Sequence, residues 1–93
     1  EKIIVVTGGG TGLGKAMSRY FSQLGAKVAI ASRKLEVLEK TASEISAETG
    51  NKVFSVKCDV ANYDDVEKML ETVSSELGSP NVLLNNAAGN FIS

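Results

Sequence analysis

Apolar positions along this chain follow two alternating rhythms. Short β-branched or alternating runs predict strands at residues 2–6 (Ile3-Ile4-Val5-Val6), 27–31 (Lys-Val-Ala-Ile-Ala), 52–57 and 82–84 (Val82-Leu83-Leu84). Between them the period lengthens to that of a helix. Leu13, Ala16, Met17, Tyr20, Phe21 and Leu24 form one broad apolar face, with Gly25 as its stop. Leu35, Leu38, Ala42 and Ile45 mark a second helix ending near Gly50. Asn62, with Asp65 three residues on, predicts an N-cap for a third helix carrying Val66, Met69, Leu70, Val73 and Leu77. Gly78-Ser79-Pro80 breaks it.

Strands alternating with amphipathic helices imply right-handed crossovers and a parallel sheet covered on both faces. The expected fold class is α/β, the N-terminal part of a Rossmann-type doubly wound parallel sheet in the order βαβαβαβ. Residues 1–93 form one dinucleotide-binding portion, with no repeats or low-complexity linkers. A strand as apolar as 82–84 is normally flanked on both sides. The expectation is therefore a piece of a longer domain, cut after strand four.

Bulk composition narrows the possible functions. Ten Lys and Arg against eleven Asp and Glu give a net charge of −1, with no basic excess for nucleic acid. No apolar run approaches the roughly 18 residues needed to span a bilayer. One cysteine, Cys58, cannot form an internal disulfide. Without histidine, no zinc or other metal site is expected.

The chemistry concentrates where strand one meets helix one, in Thr7-Gly8-Gly9-Gly10-Thr11-Gly12-Leu13-Gly14. The strict G-x-G-x-x-G pattern fails, because the sixth position is Leu13 counted from Gly8 and Met17 counted from Gly12. T-G-x-x-x-G-x-G fits. Gly8 allows the tight turn, Gly12 a close backbone approach to pyrophosphate, and Gly14 close packing of helix on sheet. Thr11 and Leu13 offer backbone N–H groups, and Gly9 and Gly10 complete the cradle. A P-loop is excluded, since Ala16 follows Lys15. The alternative is a glycine-rich turn with no ligand.

Strand two ends in Ala31-Ser32-Arg33-Lys34, where an NAD-binding fold places an acid for the ribose 2′-hydroxyl. A guanidinium there suits a 2′-phosphate, with Ser32 adding a hydroxyl, so NADP(H) is expected over NAD(H). Alternatively, Arg33 and Lys34 are solvated charges, or pair with Glu36 and Glu39. After strand three, Asp59 is placed to accept from an adenine amino group and Val60 to pack on the ring. The competing reading is an Asx turn. Cys58 reads as a small buried apolar residue. Asn86, Ala87, Ala88 and Gly89 follow strand four, small enough for a cofactor ribose to lie against the backbone. The asparagines at 85 and 86 can tie the strand to its neighbours.

These motifs, in this order, resemble the short-chain dehydrogenase/reductase family across essentially the whole chain. The variant Asn85-Asn86-Ala87-Ala88-Gly89-Asn90-Phe91-Ile92-Ser93, with Ile30-Ala31-Ser32-Arg33-Lys34 and Thr49-Gly50-Asn51-Lys52-Val53, is similar to its 2,4-dienoyl-CoA reductase branch, most closely the mitochondrial kind. The resemblance implies NADPH-dependent reduction of 2,4-dienoyl-CoA to 3-enoyl-CoA in unsaturated fatty-acid oxidation, a homotetramer, and a mitochondrial location. It also implies an acyl-CoA substrate near Phe91, with Arg33 close enough to influence CoA. Where that branch carries an arginine after Asp-Val, this chain has Ala61, so that contact is not carried over. The family's Tyr-x-x-x-Lys pair and serine lie downstream of strand four. Neither Tyr20 nor Tyr63 fits, so this chain is expected to hold no catalytic residue and to be inactive alone. The remaining alternatives are another family member acting on a carbonyl or alcohol, and a non-catalytic dinucleotide-binding module.

Overall fold

The computed structural model describes residues 2–86. Four strands, β1 (Ile3–Thr7), β2 (Lys27–Ser32), β3 (Val53–Lys57) and β4 (Val82–Asn85), alternate with helices α1 (Gly12–Gln23), α2 (Leu35–Thr49) and α3 (Tyr63–Glu76). The sheet order is β3-β2-β1-β4, and every pairing is parallel. The order reverses beside β1, where β2 leaves on one side and β4 on the other. In open α/β sheets, ligands bind at such a reversal, outside the carboxyl ends of the strands.

Strand alternation sorts the core into two layers. Ile4, Val6, Val28, Ile30 and Val53 face α1 and α2, meeting Leu38, Ala42 and Ile45 with Met17 and Phe21 beside them. Val5, Ala29 and Ala31 face α3, meeting Met69, Val73 and Cys58. Ile30, Leu38 and Ile45 have no exposed surface. Burying each side chain of this size contributes about 1.5–3 kcal/mol. Strand and helix ends fall within a few residues of the periodicity. The Asn62 side chain caps α3 by accepting the Asp65 N–H at 3.1 Å, and Gly25 leaves α1 with φ 89°.

The face of α1 departs from expectation in part: Met17 and Phe21 pack on the core, but other apolar positions do not. Leu13, Tyr20 and Leu24 are 54%, 58% and 66% exposed. The positions that α1 buries are Gly14, Ser18 and Ser22, one helical turn apart. Close approach of α1 to its neighbours needs small side chains along the contact. The two serines fit because both hydroxyls find partners, one within α1 and one on α2. Ser18 donates to the Gly14 carbonyl at 2.7 Å, and Ser22 meets the Thr49 hydroxyl at 2.9 Å.

Two ion pairs, also one turn apart, join α1 to α2: Lys15 to Glu44 at 2.8 Å and Arg19 to Glu48 at 2.6 Å. The hydrogen bond from Lys15, and then its charge, hold the Glu44 carboxyl below its ordinary value of 4.5. A depressed carboxylate pKa stabilises the fold above the unfolded value, and the contribution vanishes as pH falls through the folded one. Urea unfolding should therefore show Glu44→Gln slightly less stable than wild type at neutral pH. The gap should close as the medium is acidified below the ordinary carboxylate range.

Candidate cofactor site

The glycine loop is built around one close approach. A Cβ added to Gly14 would lie 2.0 Å from the Gly8 carbonyl oxygen and 3.0 Å from Nδ2 of Asn86. No side chain fits there, so α1 starts hard against the end of β1. Gly8 itself sits at φ 67°, where a Cβ is penalised. Its N–H donates to the Ala31 carbonyl at 2.7 Å, fixing the turn to β2. Gly12 is also left-handed, at φ 56°, but a Cβ there would meet nothing within 4 Å. The loop is therefore closed underneath and open outward at Gly12.

The start of α1 has no capping side chain. Thr11, its N-cap residue, makes no side-chain cap, and the first turn holds no acid. The first backbone amide of α1 to find a carbonyl is that of Lys15, on Thr11 at 3.2 Å. The N–H groups of Gly12, Leu13 and Gly14 have no partner within the helix. Together with the helix dipole they favour an anion. The start of α3 is different, with Asn62 as cap and Asp64 and Asp65 in the first turn.

Three hollows lie at the carboxyl ends of β1, β2 and β3, and all are lined by Arg33. The first, about 260 Å³, lies between the glycine loop and α2, lined by Gly8, Gly10, Thr11, Ser32, Arg33, Lys34 and Val37. The second, about 370 Å³, opens toward α3 and adds Cys58, Asp59, Val60 and Ala61 to Gly8, Ser32 and Arg33. The third is bounded by Arg33, Lys34 and Lys57 with the first turn of α2. Among the described residues, no ion pair engages Arg33 or Lys34, so neither is tied to Glu36 or Glu39.

At Asp59 the turn and the open carboxylate coexist. Oδ1 accepts the Ala61 N–H at 3.0 Å, forming the Asx turn, and the Asp59 N–H donates to Asp65 at 3.2 Å. Oδ2 is not used in that turn. Cys58 is buried beneath, its thiol pushed up by desolvation and then by the charges of Asp65 and Asp59. β4 is tied to β1 by Thr7, whose hydroxyl donates to Asn85 Oδ1 at 2.9 Å and accepts the Asn86 N–H at 3.1 Å.

Of the expected site residues, the fold gathers Gly8, Gly10, Thr11, Ser32, Arg33, Asp59 and Val60 around the first two hollows. Gly12 and Leu13 sit on the exposed outer side of the loop, and Gly14 is buried beside Asn86. Gly9 lies under the loop against Ile30, where a Cβ would come within 2.6 Å. Ala87, Ala88, Gly89 and Phe91 lie outside the described residues. Sequence reasoning missed Val37, which closes one wall of the first hollow, and Thr41, which donates to the Gly10 carbonyl at 2.6 Å. The period of α2 was the available signal: Thr41 lies three residues past Leu38 and four before Ile45, within the buried stripe.

A parallel β3-β2-β1-β4 sheet with a glycine cradle at its reversal defines a dinucleotide-binding fold. Residues 2–92 match the short chain dehydrogenase family, and the chain belongs to it. An uncharacterized oxidoreductase of Caenorhabditis elegans is 53% identical over 98% of this chain and 29% of its own length. A probable 2,4-dienoyl-CoA reductase of the same organism is 46% identical over 98% of this chain and 30% of its own. The chain thus spans about a third of these relatives. Among solved structures, L-sorbose reductase from Gluconobacter frateurii, complexed with NADPH and L-sorbose, is similar with a TM-score of 0.87 and 32% identity. That match covers 91% of this chain and 32% of the other.

Two outcomes follow from this geometry. Gly14→Ala in the full-length protein should lower unfolding stability by about 2 kcal/mol or more in urea titration, since a backbone carbonyl must move. Cys58 should resist alkylation in the native protein and react fully once it is denatured.

Proposed function

We propose that this chain is the NADPH-binding part of an oxidoreductase that reduces 2,4-dienoyl-CoA thioesters to 3-enoyl-CoA. The observation that carries the cofactor reading is Arg33. Among the described residues it has no ion-pair partner, and it stands just past β2, beside Ser32 and facing the glycine loop across one hollow. The cradle fits the cofactor. Gly12 is open outward and the start of α1 is uncapped, which together suit a pyrophosphate on the first N–H groups of the helix. Arg33 grips the 2′-phosphate through its forked donors, with Ser32 adding a hydroxyl. Asp59 Oδ2 accepts from the adenine amino group, and Val60 packs on the ring.

When bound, the cofactor supplies the hydride, and the residues of this chain hold and orient it. The substrate class rests on the likeness to probable 2,4-dienoyl-CoA reductases of C. elegans, 46% and 42% identical. A second reading, reduction of a carbonyl, is favoured by the likeness to L-sorbose reductase.

Nicotinamide absorbance separates these readings. The full-length protein should consume NADPH when given a 2,4-dienoyl-CoA and not when given a ketose; the reverse pattern would favour the carbonyl reading. In direct binding, Arg33→Ala should raise the Kd for NADPH about ten- to a hundredfold and leave that for NADH within about twofold. Equal losses for both cofactors would remove the 2′-phosphate assignment.

A further inference from the structure

The hollow on the outer side of Arg33 has no role in the site described so far. It measures about 330 Å³ and is lined by Arg33, Lys34, Leu35, Glu36, Val37 and Lys57. Its three cations face a single acid. Among the described residues none of the three takes part in an ion pair, whereas Lys15 and Arg19 on α1 are both matched by glutamates. Three like charges around one hollow repel one another, and an anion between them relieves that repulsion.

The fold places Lys57 there by register. Ser32 and Lys57 are partners across the β2–β3 pair, about 4.8 Å apart as neighbouring parallel strands are. The Cys58 N–H donates to the Ser32 carbonyl at 2.8 Å, which holds the two strand ends together. The two-residue period sends Lys57 to the same face as Val53, the face covered by α2, while Phe54 and Val56 pack toward α3. Lys57 thus reaches the α2 side of Arg33, opposite the side open to adenine. Its side chain is exposed and free to swing toward a bound group.

We propose that Lys57 is a specificity-determining residue, a second cation for the 2′-phosphate of the nicotinamide dinucleotide. The proposal rests on the cofactor reading above. Arg33 binds the phosphate in a fork from the inner hollow, and Lys57 neutralises the remaining charge from the outer one. A phosphate dianion near neutral pH has charge for both. An ammonium on a flexible stem acts here as a point charge rather than a directional ligand. Its contribution is therefore electrostatic and weakens with salt, since the screening length is about 8 Å at physiological ionic strength.

The test measures NADPH and NADH dissociation constants on the full-length protein, at low and high salt. The variants are Lys57→Gln, Lys57→Arg, Arg33→Ala and Lys52→Gln. The last removes the same charge at the opposite end of β3. Lys57→Gln should raise the NADPH Kd about three- to tenfold at low salt, less at high salt, and leave NADH within about twofold. Lys57→Arg should retain affinity, and Lys52→Gln should match wild type. The proposal is overturned if Lys57→Gln binds NADPH like wild type, loses both cofactors equally, or is matched by Lys52→Gln. If Arg33→Ala weakens NADPH selectively while Lys57→Gln is silent, only the role of Lys57 falls. If Arg33→Ala weakens NADPH and NADH equally, the cofactor reading beneath it falls as well.

Discussion

The contact between Gly14 and the carbonyl of Gly8 governs the rest of this structure. With no Cβ at residue 14, the first turn of α1 seats directly on the end of β1. That seating aims the unpaired amides of α1 at the point where the sheet order reverses. It brings Asn86, just past β4, beside the same turn. The turn is also held from two other directions, by Ala31 of β2 on the Gly8 amide and by Thr41 of α2 on the Gly10 carbonyl. A cradle anchored to two strands and a second helix is preorganised, so a ligand there need not order the loop.

Charge is partitioned in the same geometry. On the surface joining α1 and α2, basic and acidic residues at matching four-residue intervals pair as two rungs. Exposed pairs of this kind add little stability individually, but they neutralise the helix cations nearest the glycine loop. At the carboxyl ends of β2 and β3 the cations Arg33, Lys34 and Lys57 are left without partners among the described residues. The near-neutral net charge of the chain conceals this local imbalance. A surface that leaves several positive groups unmatched around a hollow is suited to an anion supplied from outside.

Much of this was legible in the linear chain. The β-branched runs and helical periods located every strand and helix to within a few residues. The T-G-x-x-x-G-x-G spacing located the cradle, and Asn62 with Asp65 located the start of α3. The buried face of α1 was legible only in part. Of the apolar positions expected there, Met17 and Phe21 pack on the core but Leu13, Tyr20 and Leu24 are exposed, and the closest contact is made by Gly14, Ser18 and Ser22. Where elements approach very closely, side-chain volume decides which face is buried, and hydropathy misleads. Serine is tolerated in such a contact once its hydroxyl has a partner.

The sequence by itself determined the alternation of elements, the glycine cradle and the cation that ends β2. These depend on local conformational preference and spacing, which neighbouring residues are sufficient to specify. Tertiary structure alone decided that Lys57 stands across from Ser32, that Val37 walls the first hollow, and that Asp59 forms a turn with one oxygen while leaving the other unused by it. Each of these depends on strand register and helix seating. Register is set by how buried faces from distant segments match, and that information lies in no single stretch of chain.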